Sequence, residues 1–208
     1  PMGRAMKITA AKSAVDIEWK KLTDKLASLI STVRPRSEFI KDAKARNKKV
    51  YFGSLMDLCH EKHSELAAEF RRFEGRVVFR GDQVRDESGF YAVFSEQGTS
   101  ASHMAGTKFL DALARMPGMD GEDSDAIGAY HQVELSEAAE LLEGSDELET
   151  WITLPRDRRP ADWDSIEDPV CRLRLNLYGH PLAGLLWEKY CQKILFGVGF
   201  EKVKGWEC

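Results

Sequence analysis

No apolar run of about 18 residues or more occurs in the 208-residue chain, so the sequence contains no stretch of the length that a membrane-spanning helix requires. The opening residues, PMGRAMKITAAKSAVD, also lack the apolar core of a signal peptide. Cysteine is scarce. The four present, Cys59, Cys171, Cys191 and Cys208, are far apart and form no Cys-x-x-Cys pair. That spacing argues against a disulfide framework or a zinc ribbon and for reduced thiols in an intracellular protein, with no membrane partner. Internal repeats and low-complexity tracts are missing too, which excludes a solenoid or a disordered tether. Positive charge disappears between Arg115 and Arg156, where 11 carboxylates stand without a Lys or Arg.

With 43% hydrophobic residues, the chain can bury a core as one large domain or two small lobes. Its net charge of -4 conceals an asymmetry: residues 1–80 hold 18 Lys/Arg against 10 Asp/Glu, and the remainder holds 12 against 24. A basic first part suits phosphates, and an acidic second part repels them unless cations intervene; most of those acids read as solvated surface. The chain begins at Pro1 and ends at Cys208 without a finishing signal, and reads as a piece of a longer polypeptide.

Periodicity predicts an α+β fold. EWKKLTDKLASLIS places Trp19, Leu22, Leu26 and Leu29 on one helical face, and this helix is expected to end before Pro35. SLMDLCHEKHSELAAEFRRF opens with Ser54-x-x-Asp57, a capping-box pattern, and keeps Leu55, Leu58, Leu66 and Phe70 near one face, so a second long helix is predicted. GRVVFRG, FYAVF, ETWITLP and VCRLRLNLYG read as strands. SHMAGTKFLDALARM returns to helical spacing, and a last helix is expected to start at Pro181, bury Leu182, Leu185, Tyr190 and Ile194, and stop at Gly197.

Three clusters carry candidate chemistry. Cys59 and His63 would share a helical face with His60 beside them, as metal ligands do, although a small apolar cysteine and surface histidines are the commoner arrangement. Arg71, Arg72, Arg76 and Arg80 flank a strand, and planar guanidinium forks suit phosphate oxygens; arginines alternating toward solvent would look the same. Asp123 and Asp125 stand one residue apart ahead of Gly128, close enough on an extended segment for magnesium, or simply a surface acidic loop.

In order and approximate spacing, GRVVFRGDQ, DAIGAYHQ, VCRLRLNLYGHPLAGLLWEKY and GVGF resemble the reverse transcriptase domain of copia-type LTR retrotransposons over about residues 16–205. The sharpest matches are Val170-Cys171-Arg172-Leu173-x-x-x-Leu177-Tyr178-Gly179 with Trp187 eight residues on, and Asp125-x-x-x-Ala129-Tyr130. The resemblance implies an RNA-directed DNA polymerase with a right-hand shape: a helical N-terminal segment and the start of the fingers over 1–70, fingers over 71–118, and a partial palm over 119–208. It implies Asp125 at the end of a palm strand as the catalytic, magnesium-holding carboxylate, with the Ala126 carbonyl as a further ligand. Ala129 and Tyr130 would face the nucleotide, Tyr130 excluding a 2'-hydroxyl, and Arg76 would reach the triphosphate. Its partners would be an RNA template, a DNA primer, deoxynucleoside triphosphates and the rest of a polyprotein, in a cytoplasmic particle or the nucleus.

The sequence departs from that pattern in three places. After Gly179 the family carries Leu-Lys-Gln-Ala-Pro-Arg, against His180-Pro181-Leu182-Ala183-Gly184-Leu185 here. The family's lysine ahead of the strand arginine falls near Glu74, and the aromatic-x-Asp-Asp hairpin that supplies two further carboxylates is missing from the 208 residues. Two alternatives therefore stand beside a polymerase fragment: a decayed or repurposed copy that at most binds nucleic acid, and a helical interaction module unrelated to polymerases.

Overall fold

The computed structural model describes residues 8–94, 104–122, 125–142 and 148–202. Helix α1 (Thr9–Asp24) leads into β1 (Ser28–Pro35), helix α2 (Arg36–Ala45) and a long strand β2 (Tyr51–Lys62). Strand β3 (Arg72–Phe79), a two-residue β4 (Arg85–Asp86) and helix α3 (Met104–Ala114) follow. A short 3-10 helix (Ala129–Gln132), α4 (Ala138–Leu141), β5 (Thr150–Thr153), β6 (Pro169–Leu173) and α5 (Ala183–Gly197) come next, with further 3-10 turns in the connections. The protein is α+β with one mixed sheet, ordered β1-β6-β5-β2-β3 with β4 also on β2. Only β2 and β5 run parallel; every other pairing is antiparallel.

Helices cover both faces of the sheet, so alternate strand residues enter two separate cores. Phe52, Trp151 and Val170 pack under α2 with Phe39 and Ala43, the Phe39 ring 3.9 Å from that of Trp151. Their neighbours Tyr51, Ile152 and Cys171 point the other way, into the larger core with Leu22 of α1 and Leu185 and Leu186 of α5. None of the described helices is long and apolar enough to cross a membrane.

Sheet pairing overrides two helical expectations. The first helix ends at Asp24, and residues 28–35 are strand β1, locked to β6 through Ser28↔Leu173 and Pro35↔Pro169. The second predicted helix is strand β2, paired with β3 from Leu55↔Phe79 to Lys62↔Arg72. Within the expected helical N-terminal segment and start of the fingers, Ser28–Pro35 and Tyr51–Lys62 are therefore strands. The leucine spacing that suggested a helix competes with a period-2 pattern in which Leu55, Asp57 and Cys59 turn toward α1, and eight paired residues of β3 decide the contest. Asp57 caps nothing; its carboxylate accepts the Trp19 indole N–H at 2.7 Å.

FYAVF forms only an isolated bridge at Tyr91. Gly197 ends α5 as expected, but Ile194 is 51% exposed.

Candidate functional site

Strand β3 closely approaches α1: a Cβ at Gly75 would lie 2.6 Å from the Ala14 backbone. Cys59, the cross-strand partner of Gly75, faces the same helix, its Sγ 3.9 Å from the Ala11 carbonyl. By alternation, Met56, Leu58, His60 and Lys62 of β2 and Arg72, Glu74, Arg76 and Val78 of β3 occupy the face turned away from α1. Cys59 and His60 therefore lie on opposite faces, and among the described residues no three His, Cys, Asp or Glu gather as metal ligands.

On the open face the Arg76 guanidinium lies 5.7 Å from the centre of the Tyr178 ring. Tyr178 belongs to the tight turn after β6, held where the end of β3 crosses it. The Phe79 N–H donates to the Tyr178 carbonyl at 2.8 Å. At Gly179, φ is +86°, and a Cβ there would fall 2.1 Å from the Phe79 carbonyl oxygen; a Cβ at Gly81 would fall 2.2 Å from the Gly179 oxygen. The Arg80-Gly81 and Tyr178-Gly179 pairs are therefore two halves of one backbone contact, which a side chain at either glycine would break.

Tyr130 enters from a third direction. Gly128, at φ +62°, turns the chain into the 3-10 helix Ala129–Gln132, and the Tyr130 ring lies 4.5 Å from that of Tyr178. His131 meets Tyr178 edge-on at 5.9 Å. Burial holds the His131 imidazole below its ordinary pKa, and the nearby Lys25 ammonium pushes the same way against Glu18. Just beyond, Leu135 N–H donates to the Arg174 carbonyl and Asn176 N–H to that of Val133, each at 2.8 Å. The Arg174 side chain pairs with Glu134 and donates through Nε to the Leu26 carbonyl at 2.9 Å, tying this segment to the end of α1.

Asp125 is not at a strand end. It lies exposed in the irregular stretch ahead of Gly128, as does Ala126, and pairing resumes only at Glu134↔Leu175. No apolar side chain of the described residues anchors the stretch: Asp120, Gly121 and Glu122 upstream are polar or small, and Ile127 just downstream is 89% exposed. Among the described residues Asp125 has no hydrogen-bond or ion-pair partner. Asp123 lies outside the described residues.

Sequence reasoning missed several residues that build this site. On the open face, Glu74 binds Lys62 from the neighbouring strand and Arg76 at 3.3 Å, with His60 3.5 Å away. The Lys62 ammonium, then Arg76, hold the Glu74 carboxyl below the usual carboxylate range. Asn176, fully buried, donates to the Ala183 carbonyl at 3.0 Å. His180, where the resembled family has leucine, is also buried: its Nδ1 accepts the Leu182 N–H at 3.2 Å, and its ring lies 5.1 Å from Phe79. Burial alone pushes its pKa down to about 3. Alternation in Arg172-x-Arg174-x-Asn176 was a legible signal for the strand's polar side, whereas Lys62 was hidden by its helical assignment.

Comparison with protein-family models, with curated proteins and with solved structures finds no significant match.

Proposed function

We propose that this chain is part of a retrotransposon-type RNA-directed DNA polymerase, and that the open face of the β2–β3 hairpin with the Tyr178 turn is its nucleotide-facing surface. The observation that carries the reading is convergence. Arg76, Tyr130 and Tyr178 come from segments separated by about fifty residues each and from three motifs, and the Tyr178 ring lies 5.7 Å from the Arg76 guanidinium and 4.5 Å from the Tyr130 ring. A guanidinium beside two tilted aromatic rings suits a nucleotide, offering phosphate donors next to π-faces. In this reading β3 belongs to the fingers and β6 with α5 to the palm. Arg76 holds phosphate, and the Tyr130 ring limits space at the sugar.

Magnesium belongs to the proposal through Asp125 and the Ala126 carbonyl. These two fall short of a two-metal centre, in which carboxylates fix ions ~4 Å apart around the transferring phosphate. Primer extension on an RNA template is therefore expected at background for the 208-residue chain. A chain joined to an aromatic-x-Asp-Asp hairpin should incorporate deoxynucleotides; Asp125→Asn should abolish this with the fold intact, and Tyr130→Ala should admit ribonucleotides. Robust extension by the 208-residue chain that persists in Asp125→Asn would contradict the assignment. Asp125, exposed and without a hydrogen-bond or ion-pair partner among the described residues, favours a second reading, a non-catalytic copy that binds nucleic acid without joining nucleotides; in that case the hairpin-bearing chain stays inactive but binds.

A further inference from the structure

The open face of the hairpin carries more positive charge than Arg76 alone. Lys62 stands directly opposite Arg72 in the β2–β3 register; on the same face the next pair is His60↔Glu74, two residues along, and the one after it Leu58↔Arg76. Like charges directly across a strand pair destabilise it, so this ladder carries an electrostatic cost that an anion would relieve. Glu74 partly relieves it already, standing between Lys62 and Arg76 and bonding both. Both cations keep access to solvent, with 38% of the Lys62 side chain and 48% of the Arg76 side chain exposed.

We propose that Lys62 is the second phosphate-holding cation of this surface, acting from the strand beside Arg76, and that Glu74 is a built-in counter-ion which phosphate displaces from both. The inference rests on the reading above only for the nucleotide nature of the ligand. It also accounts for the acid at Glu74, where the resembled family carries lysine: the positive charge is supplied across the ladder, and the carboxylate in its place masks the pair when no ligand is bound. A phosphate group entering between Lys62 and Arg76 exchanges two exposed charge pairs for two equivalent ones, so affinity is set by competition with Glu74.

The chemistry is shared by two sources, the phosphate chain of a nucleoside triphosphate and the backbone of a nucleic-acid strand. Binding of inorganic tripolyphosphate, a deoxynucleoside triphosphate and a single-stranded oligonucleotide would be measured for the 208-residue protein and its variants. Lys62→Ala is expected to weaken binding about three- to fivefold, the scale of an exposed ion pair, and Lys62→Arg to restore it. Glu74→Gln is expected to strengthen binding by a similar factor, an effect that a purely structural Glu74 would not produce. Lys20→Ala on α1, whose ammonium pairs with Asp24, should change nothing. If tripolyphosphate and triphosphate respond but the oligonucleotide does not, the source is the triphosphate; the opposite pattern assigns the strand. Unchanged affinity in Lys62→Ala with all three probes, or weaker binding in Glu74→Gln, overturns the proposal. If Arg76→Ala weakens binding and Lys62→Ala does not, this inference fails and the polymerase reading survives. If both matter for tripolyphosphate while an RNA/DNA hybrid is not bound at all, the polymerase reading fails and this one stands.

Discussion

Replacing Gly179 with alanine tests the backbone crossing on which the candidate site depends. At φ +86° an alanine is in a left-handed conformation that costs about 1–3 kcal/mol outside glycine. Its Cβ would also lie 2.1 Å from the Phe79 carbonyl oxygen and 3.2 Å from the carbonyl carbon, both rigid backbone atoms, so the turn must separate from β3. Separation breaks the 2.8 Å bond from Phe79 N–H to the Tyr178 carbonyl, worth about 1 kcal/mol net and more if the N–H remains buried. Together these give a loss of about 3 kcal/mol or more, a large part of the roughly 5–15 kcal/mol that stabilises a folded domain. Urea unfolding with a slope of about 2 kcal/mol/M would show the midpoint falling by about 1.5 M. Gly197→Ala is the control, because nothing lies within 4 Å of a Cβ at that helix terminus. It should be neutral or stabilising by up to about 1 kcal/mol. Stability of Gly179→Ala within about 0.5 kcal/mol of the parent would refute the crossing.

His180, neutral and buried with a pKa near 3 against the ordinary 6.5, makes the unfolded chain the better proton binder between those values. Stability should therefore be full above about pH 6.5 and fall as pH drops toward 3, by at most about 1.4 kcal/mol per unit. Urea midpoints at pH 7.5 and 5 would show the fall, and His180→Leu should flatten it; an unchanged slope in that variant would assign the effect to other groups. Phe39→Ala should cost about 3–5 kcal/mol by emptying the core under α2, where the phenyl ring meets Trp151 and Phe52. Calorimetry showing a loss below about 1 kcal/mol would mean that α2 does not cover the sheet. In Trp19→Phe, the partly buried Asp57 loses its indole donor; burial already raises its carboxyl pKa, so the variant should be about 1–3 kcal/mol less stable at neutral pH by denaturant titration.

The strands richest in β-branched and aromatic residues were legible in the sequence. ETWITLP and VCRLRLNLYG occupy the sheet as β5 and β6, and GRVVFRG ends β3. The stretch now seen as β2 was not, because Leu55 and Leu58, three apart, suggest one helical face although they lie on opposite faces of the strand, and pairing to β3 decides between the two. Of the candidate site, the motif residues Arg76, Tyr130 and Tyr178 could be named individually, but their contact depends on Gly179 crossing Phe79, a long-range event invisible to local pattern. Lys62 and Glu74 could not be paired until the strand register was known. Asp125 is legible from its motif, yet it lies in an exposed loop rather than at the expected strand end, and the adjacent Ile127, 89% exposed, does not dock on the sheet.

The most direct test of the nucleotide-facing surface is the salt dependence of RNA/DNA hybrid binding, followed by fluorescence anisotropy. If phosphates meet the open face of the hairpin, affinity should fall linearly on logarithmic axes as salt rises, and Arg76→Ala should reduce the slope by about one phosphate contact. Charge reversal at Arg76 and Arg80 together should weaken binding further. Binding that is indifferent to salt, or a slope unchanged by Arg76→Ala, would contradict the assignment of this face to nucleic acid.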